Sequence, residues 1–124
     1  MLAGIYNITC QQGSTFSRTL TMKYPDPLSP VSDPTYLPWN FTGYTARMQV
    51  RRTVESTTPL ISLTTENGRI TLGGPTGIIE LLITAADTAA LTSSGVYDLE
   101  IISSTGVVDR ILQGDFTLSQ EVTR

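Results

Sequence analysis

The chain has 124 residues, a formal net charge of −3, 40% apolar and 15% charged residues, and a mean hydropathy of +0.03. That balance suits one domain with its own core and excludes disordered and membrane-embedded classes. Histidine is absent and cysteine occurs once, which removes histidine triads and proton shuttles, the common zinc sites and any internal disulfide; the acidic surplus is the wrong sign for a nucleic-acid footprint.

The remaining composition favours strands. There are 20 threonines and 11 serines against a single lysine, Lys23. Threonine is branched at Cβ, which suits a pleated surface and disfavours helix interiors. The usual fillers of exposed helix faces are scarce, so the expected class is all-β with Thr-rich wet faces.

Met1 to Cys10 carries no basic run followed by an apolar block, so no secretory leader is expected. No stretch approaches the roughly 20 apolar residues of a spanning helix. Ile5 to Cys10 reads as a strand stopped by Gln11-Gln12-Gly13. From Thr15 to Tyr24 the even positions Phe16, Leu20, Met22 and Tyr24 point inward, with Arg18 the one discordant member, expected to snorkel at an edge. Pro25 to Asn40 holds five of the seven prolines and is expected to be an irregular loop, long enough in so small a domain to suggest a role.

Tyr44 to Arg51 alternates again, with Tyr44, Ala46, Met48 and Val50 inward. Leu60 to Thr64 and Ile70 to Leu72 read as a hairpin joined by Asn67-Gly68 in a type I′ turn, stopped at Gly73-Gly74-Pro75. Ile78 to Ile83 is apolar enough to be a strand covered on both faces. One short helical turn near 85–91 follows, capped at Thr84 with Asp87 three residues on, crossing between sheets with Leu91 as its anchor. Gly95 to Ile102 places Tyr97, Leu99 and Ile101 inward; Ser103 to Gly106 turns the chain into Val107 to Phe116, with a bulge at Gly114. A last strand runs through Phe116 and Leu118 towards Val122. The expected fold is a single domain over 1–124, an antiparallel β-sandwich (Ig-like, Greek-key) of about eight short strands, with a closed barrel as the alternative.

Five residues stand out as interface candidates: Tyr36, Trp39, Arg47, Arg51 and Arg52. Tyr36 and Trp39 lie in the proline-stiffened loop near Phe41 and Tyr44, where rigid aromatics can anchor a partner. The competing reading has Trp39 folding back to cap the core, its indole N–H bonded to backbone. Arg47 and Arg51 share a strand face and can grip a partner's carboxylates, or pair with Asp98 and Glu100 in their own sheet. Asp98, Glu100, Asp109 and Asp115 read as a solvated face, since glycoside hydrolysis needs a cleft and no calcium-loop spacing appears. Cys10 reads as a small buried hydrophobe without an activating base. Asn7-Ile8-Thr9 and Asn40-Phe41-Thr42 fit the glycosylation pattern but read as chance matches. No catalytic residue, metal or cofactor is expected.

An ordered set of segments carries a resemblance. Gln12-Gly13-Ser14-Thr15-Phe16 opens it; Phe41 to Arg51 follows, containing Gly43-Tyr44-Thr45-Ala46-Arg47; then come Thr84 to Leu91, Tyr97-Asp98-Leu99-Glu100, Gly106 to Gly114 and the closing Glu121-Val122-Thr123-Arg124. Together they resemble small β-sandwich virion proteins of tailed bacteriophages, and the N-terminal domain of upper baseplate proteins that carry receptor-binding proteins. The resemblance implies a non-enzymatic structural role in a tail or baseplate, as an adaptor linking fibres to the tail, located in the virion. It implies other virion proteins (baseplate, tail or fibre subunits) as partners; self-association into a homo-oligomer is left open, and charge and the lack of a spanning stretch argue for neither nucleic acid nor membrane. Relatives are expected to continue into a collagen-like or fibre segment, so an end at Arg124 suggests a stand-alone adaptor; the 25–40 loop is longer than the family's usual turn. The alternatives are a head decoration or cement protein, a small carbohydrate-binding module using Tyr36, Trp39 and Tyr44, and a carboxylate hydrolase built on Asp98 and Glu100.

Overall fold

A computed structural model describes residues 3–124; Met1 and Leu2, at the start of the segment read for a leader and of the 1–124 domain, lie outside the described residues. Strand accounts for 48% of the structure and helix for 7%, so the all-β expectation holds. There are more and shorter strands than the eight expected. In chain order they are β1 (Gly4–Ile5), β2 (Ile8–Gln11), β3 (Phe16–Thr21), β4 (Lys23–Pro25), β5 (Tyr36–Pro38), β6 (Thr45–Arg51), β7 (Ile61–Thr64), β8 (Ile70–Leu72), β9 (Ile78–Ile83), β10 (Gly95–Ile102) and β11 (Val108–Ser119). Among the described residues a single α-helix, α1 (Ala85–Ala89), links β9 to β10.

These strands form three sheets. The large one runs β1-β11-β10-β6-β7, with β2 also on β11; the small one is β3-β9-β8; β4 and β5 make a separate two-stranded ribbon. The large sheet is not wholly antiparallel. Both β1 and β2 run parallel to β11, Gly4 opposite Leu112 and Ile8 opposite Phe116. The expected single strand Ile5 to Cys10 is therefore broken at Tyr6-Asn7, where the Tyr6 N–H still reaches the Gln113 carbonyl at 2.9 Å.

Alternation decides which side chains enter the core. In β6 Ala46, Met48 and Val50 are buried while Arg47 and Gln49 are outside; in β10 Tyr97, Leu99 and Ile101 are buried. From the small sheet Phe16, Ile70, Ile79, Leu81 and Ile83 join the same buried cluster, and the Phe16 and Phe116 rings meet from the two sheets with centroids 6.4 Å apart. Each large side chain so buried contributes about 1.5–3 kcal/mol. One face of β9 is left uncovered: Glu80 and Leu82 are exposed, which corrects the expectation of a strand covered on both sides.

Two turns differ from their expected roles. Asn67-Gly68 does not close a hairpin, because β7 pairs with β6 in the large sheet and β8 with β9 in the small one. A type I′ turn needs positive φ at both central residues, and only Gly68 has it, at 79°. Asn67 spends its side chain on the turn instead: Oδ1 accepts from the Thr64 and Arg69 N–H groups and Nδ2 donates to the Ser62 carbonyl, each at 3.0 Å. The β-bulge lies at Ile111, since Leu99 faces Leu112 while Glu100 faces Arg110. Gly114 is instead a crossing point, where a Cβ would stand 2.6 Å from the Tyr6 carbonyl oxygen. The two strands expected to meet at Phe116 are one, β11.

The helical turn is as expected. Thr84 Oγ1 accepts from the Asp87 N–H at 3.3 Å, Leu91 is buried, and the segment carries the chain from the small sheet to the large one. Thr88 is fully buried, and its Oγ1 accepts from the Gly13 N–H at 3.0 Å and donates to the Ser14 carbonyl at 2.8 Å. Gln12 ties in both ends, donating to the Leu91 carbonyl at 3.0 Å and accepting from the Glu121 N–H at 2.9 Å.

Candidate functional site

Two surfaces hold the candidate residues, and they are separate. The first is the outer face of the large sheet. Because Arg47, Gln49 and Arg51 share the wet side of β6 and Asp98 and Glu100 the wet side of β10, the strand register alone sets cations beside carboxylates. Arg47 Nε lies 2.7 Å from Glu100 Oε1, and Arg110 Nε 3.4 Å from Asp98 Oδ2. Arg51 takes neutral partners: Nη1 donates to the Ser56 carbonyl at 2.7 Å and Nη2 to Gln49 Oε1 at 2.6 Å. Arg52 is exposed just past the strand's end. Of the expected arginine cluster, then, Arg47 pairs within its sheet, Arg51 braces the loop that follows, and Arg52 stands clear.

This face is dished. A concavity of about 730 Å³ is walled by Ile5, Val54 and Val96 and edged by Arg51, Arg110 and Asp115. Sequence reasoning missed Ile5, which was assigned to an apolar strand, and Val54, an isolated apolar residue in a Ser/Thr loop that carries no local signal. Asp115 is expected on the solvated face, whereas Arg110 carries no expectation of its own.

The second surface is the ribbon β4–β5 and its root. Pro25 to Asn40 is not irregular throughout: Lys23 pairs with Pro38, Tyr24 with Leu37 and Pro25 with Tyr36. Proline survives here because the ribbon is only two strands wide and leaves edges where no N–H is required. At the root Trp39 donates its backbone N–H to the Met22 carbonyl at 2.9 Å, and its ring stacks on buried Phe41 with centroids 5.9 Å apart. Tyr24 meets Trp39 edge-on at 6.4 Å, and Tyr44 meets Phe41 edge-on at 6.0 Å. Trp39 therefore caps the core, held through its backbone N–H rather than through the indole N–H of the capping reading. Tyr36 sits further out on the ribbon, opposite Pro25 and exposed, so the structure does not gather Tyr36, Trp39 and Tyr44 on one face-to-face platform.

The titratable groups with perturbed environments lie elsewhere. Tyr97, buried under the β1–β2 break, donates its hydroxyl to the Tyr6 carbonyl; burial first, and then the neighbouring Tyr6, push its pKa up to about 12. Burial also pushes the Cys10 thiol up, the reverse of what a nucleophile needs. The hydrogen bond from Arg69, then that from Thr84, hold the Asp87 carboxyl below its ordinary value. Among the described residues no group of three or more Cys, Asp or Glu is placed to hold a metal ion, and no helix is long and apolar enough to cross a membrane.

Neither protein-family models nor curated proteins give a match to this chain.

Proposed function

We propose that this chain is a non-enzymatic structural component of a tailed-bacteriophage particle, a tail or baseplate adaptor that links fibres to the tail. We read its large and small sheets as the two layers of a β-sandwich. One observation carries the reading: a proline-stiffened ribbon, residues 23–38, stands on a close-packed body and keeps Tyr24, Leu28, Val31, Tyr36 and Leu37 exposed. Monomeric soluble proteins seldom hold so many large apolar side chains together in water unless a partner covers them. A ribbon also offers unpaired backbone edges, so a neighbouring subunit can add a strand to it. The ordered motifs that resemble small virion proteins supply the biological setting, and the motif residues fall on the framework: Ala46 and Met48 in the core, Glu100 on Arg47.

Peptide mass spectrometry on purified particles, with antibody labelling under the electron microscope, tests this. The expected result is a fixed copy number at the tail or baseplate; absence from particles overturns it, and label on the head instead supports the decoration reading. A carbohydrate-binding module using Tyr36, Trp39 and Tyr44 would need them on one stacking platform, and Tyr36 stands apart on the ribbon. Trp39 has one face taken by Phe41, so a blank glycan array is the expected outcome.

A further inference from the structure

We propose that Asn67-Gly68 is a site of spontaneous covalent modification, where asparagine converts to aspartate and isoaspartate, and that the fold delays this until the turn between β7 and β8 opens. The inference goes beyond the particle role and does not require it. The chain has three asparagines, Asn7, Asn40 and Asn67. In this chemistry the backbone nitrogen of the next residue attacks the side-chain amide carbon, so the next side chain sets the crowding. Ile8 and Phe41 follow the first two and are buried, whereas Gly68 follows the third and has no side chain. Asn67 and Gly68 are both exposed, and a Cβ at Gly68 would meet nothing within 4 Å. The reacting atoms are therefore open to water and base.

The step balances without a cofactor. The Gly68 nitrogen gives up its proton and bonds to Asn67 Cγ, while the Cγ–Nδ2 bond breaks and Nδ2 leaves as ammonia. Water then opens the five-membered imide at either of its carbonyls. One opening gives aspartate; the other reroutes the main chain through Cγ and gives isoaspartate.

The same amide is what the fold restrains. Asn67 Oδ1 accepts from the Thr64 and Arg69 N–H groups, and Nδ2 donates to the Ser62 carbonyl. The Asn67 N–H donates in turn to Thr64 Oγ1 at 2.9 Å. Ring closure makes Cγ tetrahedral and expels Nδ2, so it cannot be completed while these bonds stand. All of them lie within residues 62–69, so the opening that releases the amide is local rather than global.

Position gives the modification a consequence. Among the described residues β7 ends the large sheet and pairs with β6 alone. Alternate residues of an edge strand turn their backbone groups outward, where another chain can pair with them. Ser62 and Thr64 are such an alternate pair, and the Asn67 side chain occupies the carbonyl of one and the N–H of the other. Aspartate loses the donor to Ser62, and isoaspartate also lengthens the link between the two sheets by one main-chain atom. Arg69 Nη1 stays on the Ser62 carbonyl at 2.9 Å, so the β7 edge is only partly uncovered.

The test incubates the full chain at mildly alkaline pH, in buffer and in urea above its unfolding midpoint, and follows residue 67 by peptide mapping and mass spectrometry. In urea Asn67 is expected to convert while Asn7 and Asn40 persist. In buffer the conversion should be slower by about tenfold or more. Thr64→Ala removes the acceptor of the Asn67 N–H, so it should speed the reaction in buffer and leave the rate in urea unchanged. Tyr97→Phe removes a hydrogen bond to Tyr6, at the opposite edge of the large sheet, and should leave the rate in buffer unchanged. The isoaspartate form, separated by chromatography, should exchange the Thr64 and Arg69 amides faster while Leu99 keeps its protection. Survival of Asn67 in urea, equal rates in urea and buffer, or no response to Thr64→Ala overturns the proposal. So does acceleration by Tyr97→Phe, which would make global unfolding the gate, or unchanged exchange at Thr64 and Arg69 in the modified chain. None of those results bears on whether the protein resides in particles.

Discussion

Arg18 Nη1 donates to the Tyr6 hydroxyl at 2.5 Å, and the same guanidinium lies over two rings, 5.9 Å from the Tyr6 centroid and 5.3 Å from that of Phe16. An arginine at an inward position of β3 thus closes the open edge between the small sheet and the β1–β2 break. The residue is partly buried, consistent with a stem laid on apolar surface and a polar head at the edge.

Replacing Arg18 by alanine removes one hydrogen bond and two cation–π contacts, together worth about 1–2 kcal/mol at a partly exposed site. Arg18→Met keeps the stem and loses the charge, so it should recover about half of that. Urea midpoints at constant m-value make the measurement. Equal stability for Arg18→Met and wild type would show that Arg18 acts through the packing of its stem alone.

Alkaline pH should weaken the same corner through Tyr97. Its folded pKa, about 12, lies above the ordinary 10.0, so the native state holds a proton that the unfolded chain releases. The stabilisation is complete below about pH 10 and is lost as pH rises towards 12, by up to about 3 kcal/mol. Tyr97→Phe should cost about 1 kcal/mol at neutral pH, by leaving the Tyr6 carbonyl without its partner, and should flatten the alkaline limb. The difference between the two urea–pH profiles isolates this tyrosine from the others.

Much of the body was readable because period-two alternation is a local property. Ala46, Met48 and Val50 in β6, and Tyr97, Leu99 and Ile101 in β10, were assigned inward from spacing and are buried. Thr84 and Asp87 likewise mark α1 through chemistry confined to four residues. Pairing across long sequence distances was not readable. Nothing near Ile8 says that it will lie beside Phe116 in parallel, and nothing in Asn67-Gly68 says whether the next strand turns back or changes sheet. The prolines at 25 and 38 argued correctly against a central strand but could not reveal a free-standing ribbon. In the candidate sites, Arg47 was legible with its partner Glu100, whereas Val54 enters the dish only through the course of the loop after β6.

Acid should loosen the helix–strand clamp at Arg69. This side chain donates to Asp87 Oδ2 and to the Ser62 carbonyl, tying α1 to β7, and it holds the Asp87 carboxyl below its ordinary value. A depressed folded pKa means that the contribution is present above the unfolded value and lost as pH falls through the folded one. Both side chains are substantially exposed, so the effect is small and screened by salt. Asp87→Asn should lose less stability than wild type between about pH 6 and about pH 3, and added salt should narrow that gap. Parallel profiles would show that the ion pair is neutral to folding.

The ribbon's attachment depends on Gly77. Its φ is +72°, and a Cβ there would stand 2.4 Å from the Met22 carbonyl oxygen and 3.0 Å from the Trp39 nitrogen. Those two atoms form the hydrogen bond at the ribbon's root, and the Met22 N–H donates to the Gly77 carbonyl at 2.7 Å. Alanine would therefore meet both an unfavourable backbone conformation and a backbone clash, costing about 1–3 kcal/mol for the strain alone. Relief by local movement would part the ribbon from the body before it disturbed β10, whose neighbours lie in the large sheet. Gly77→Ala should then raise amide hydrogen exchange at Met22 and Trp39 by an order of magnitude or more while Leu99 keeps its protection. Uniform acceleration across both sites would instead mean that root and body unfold as one unit.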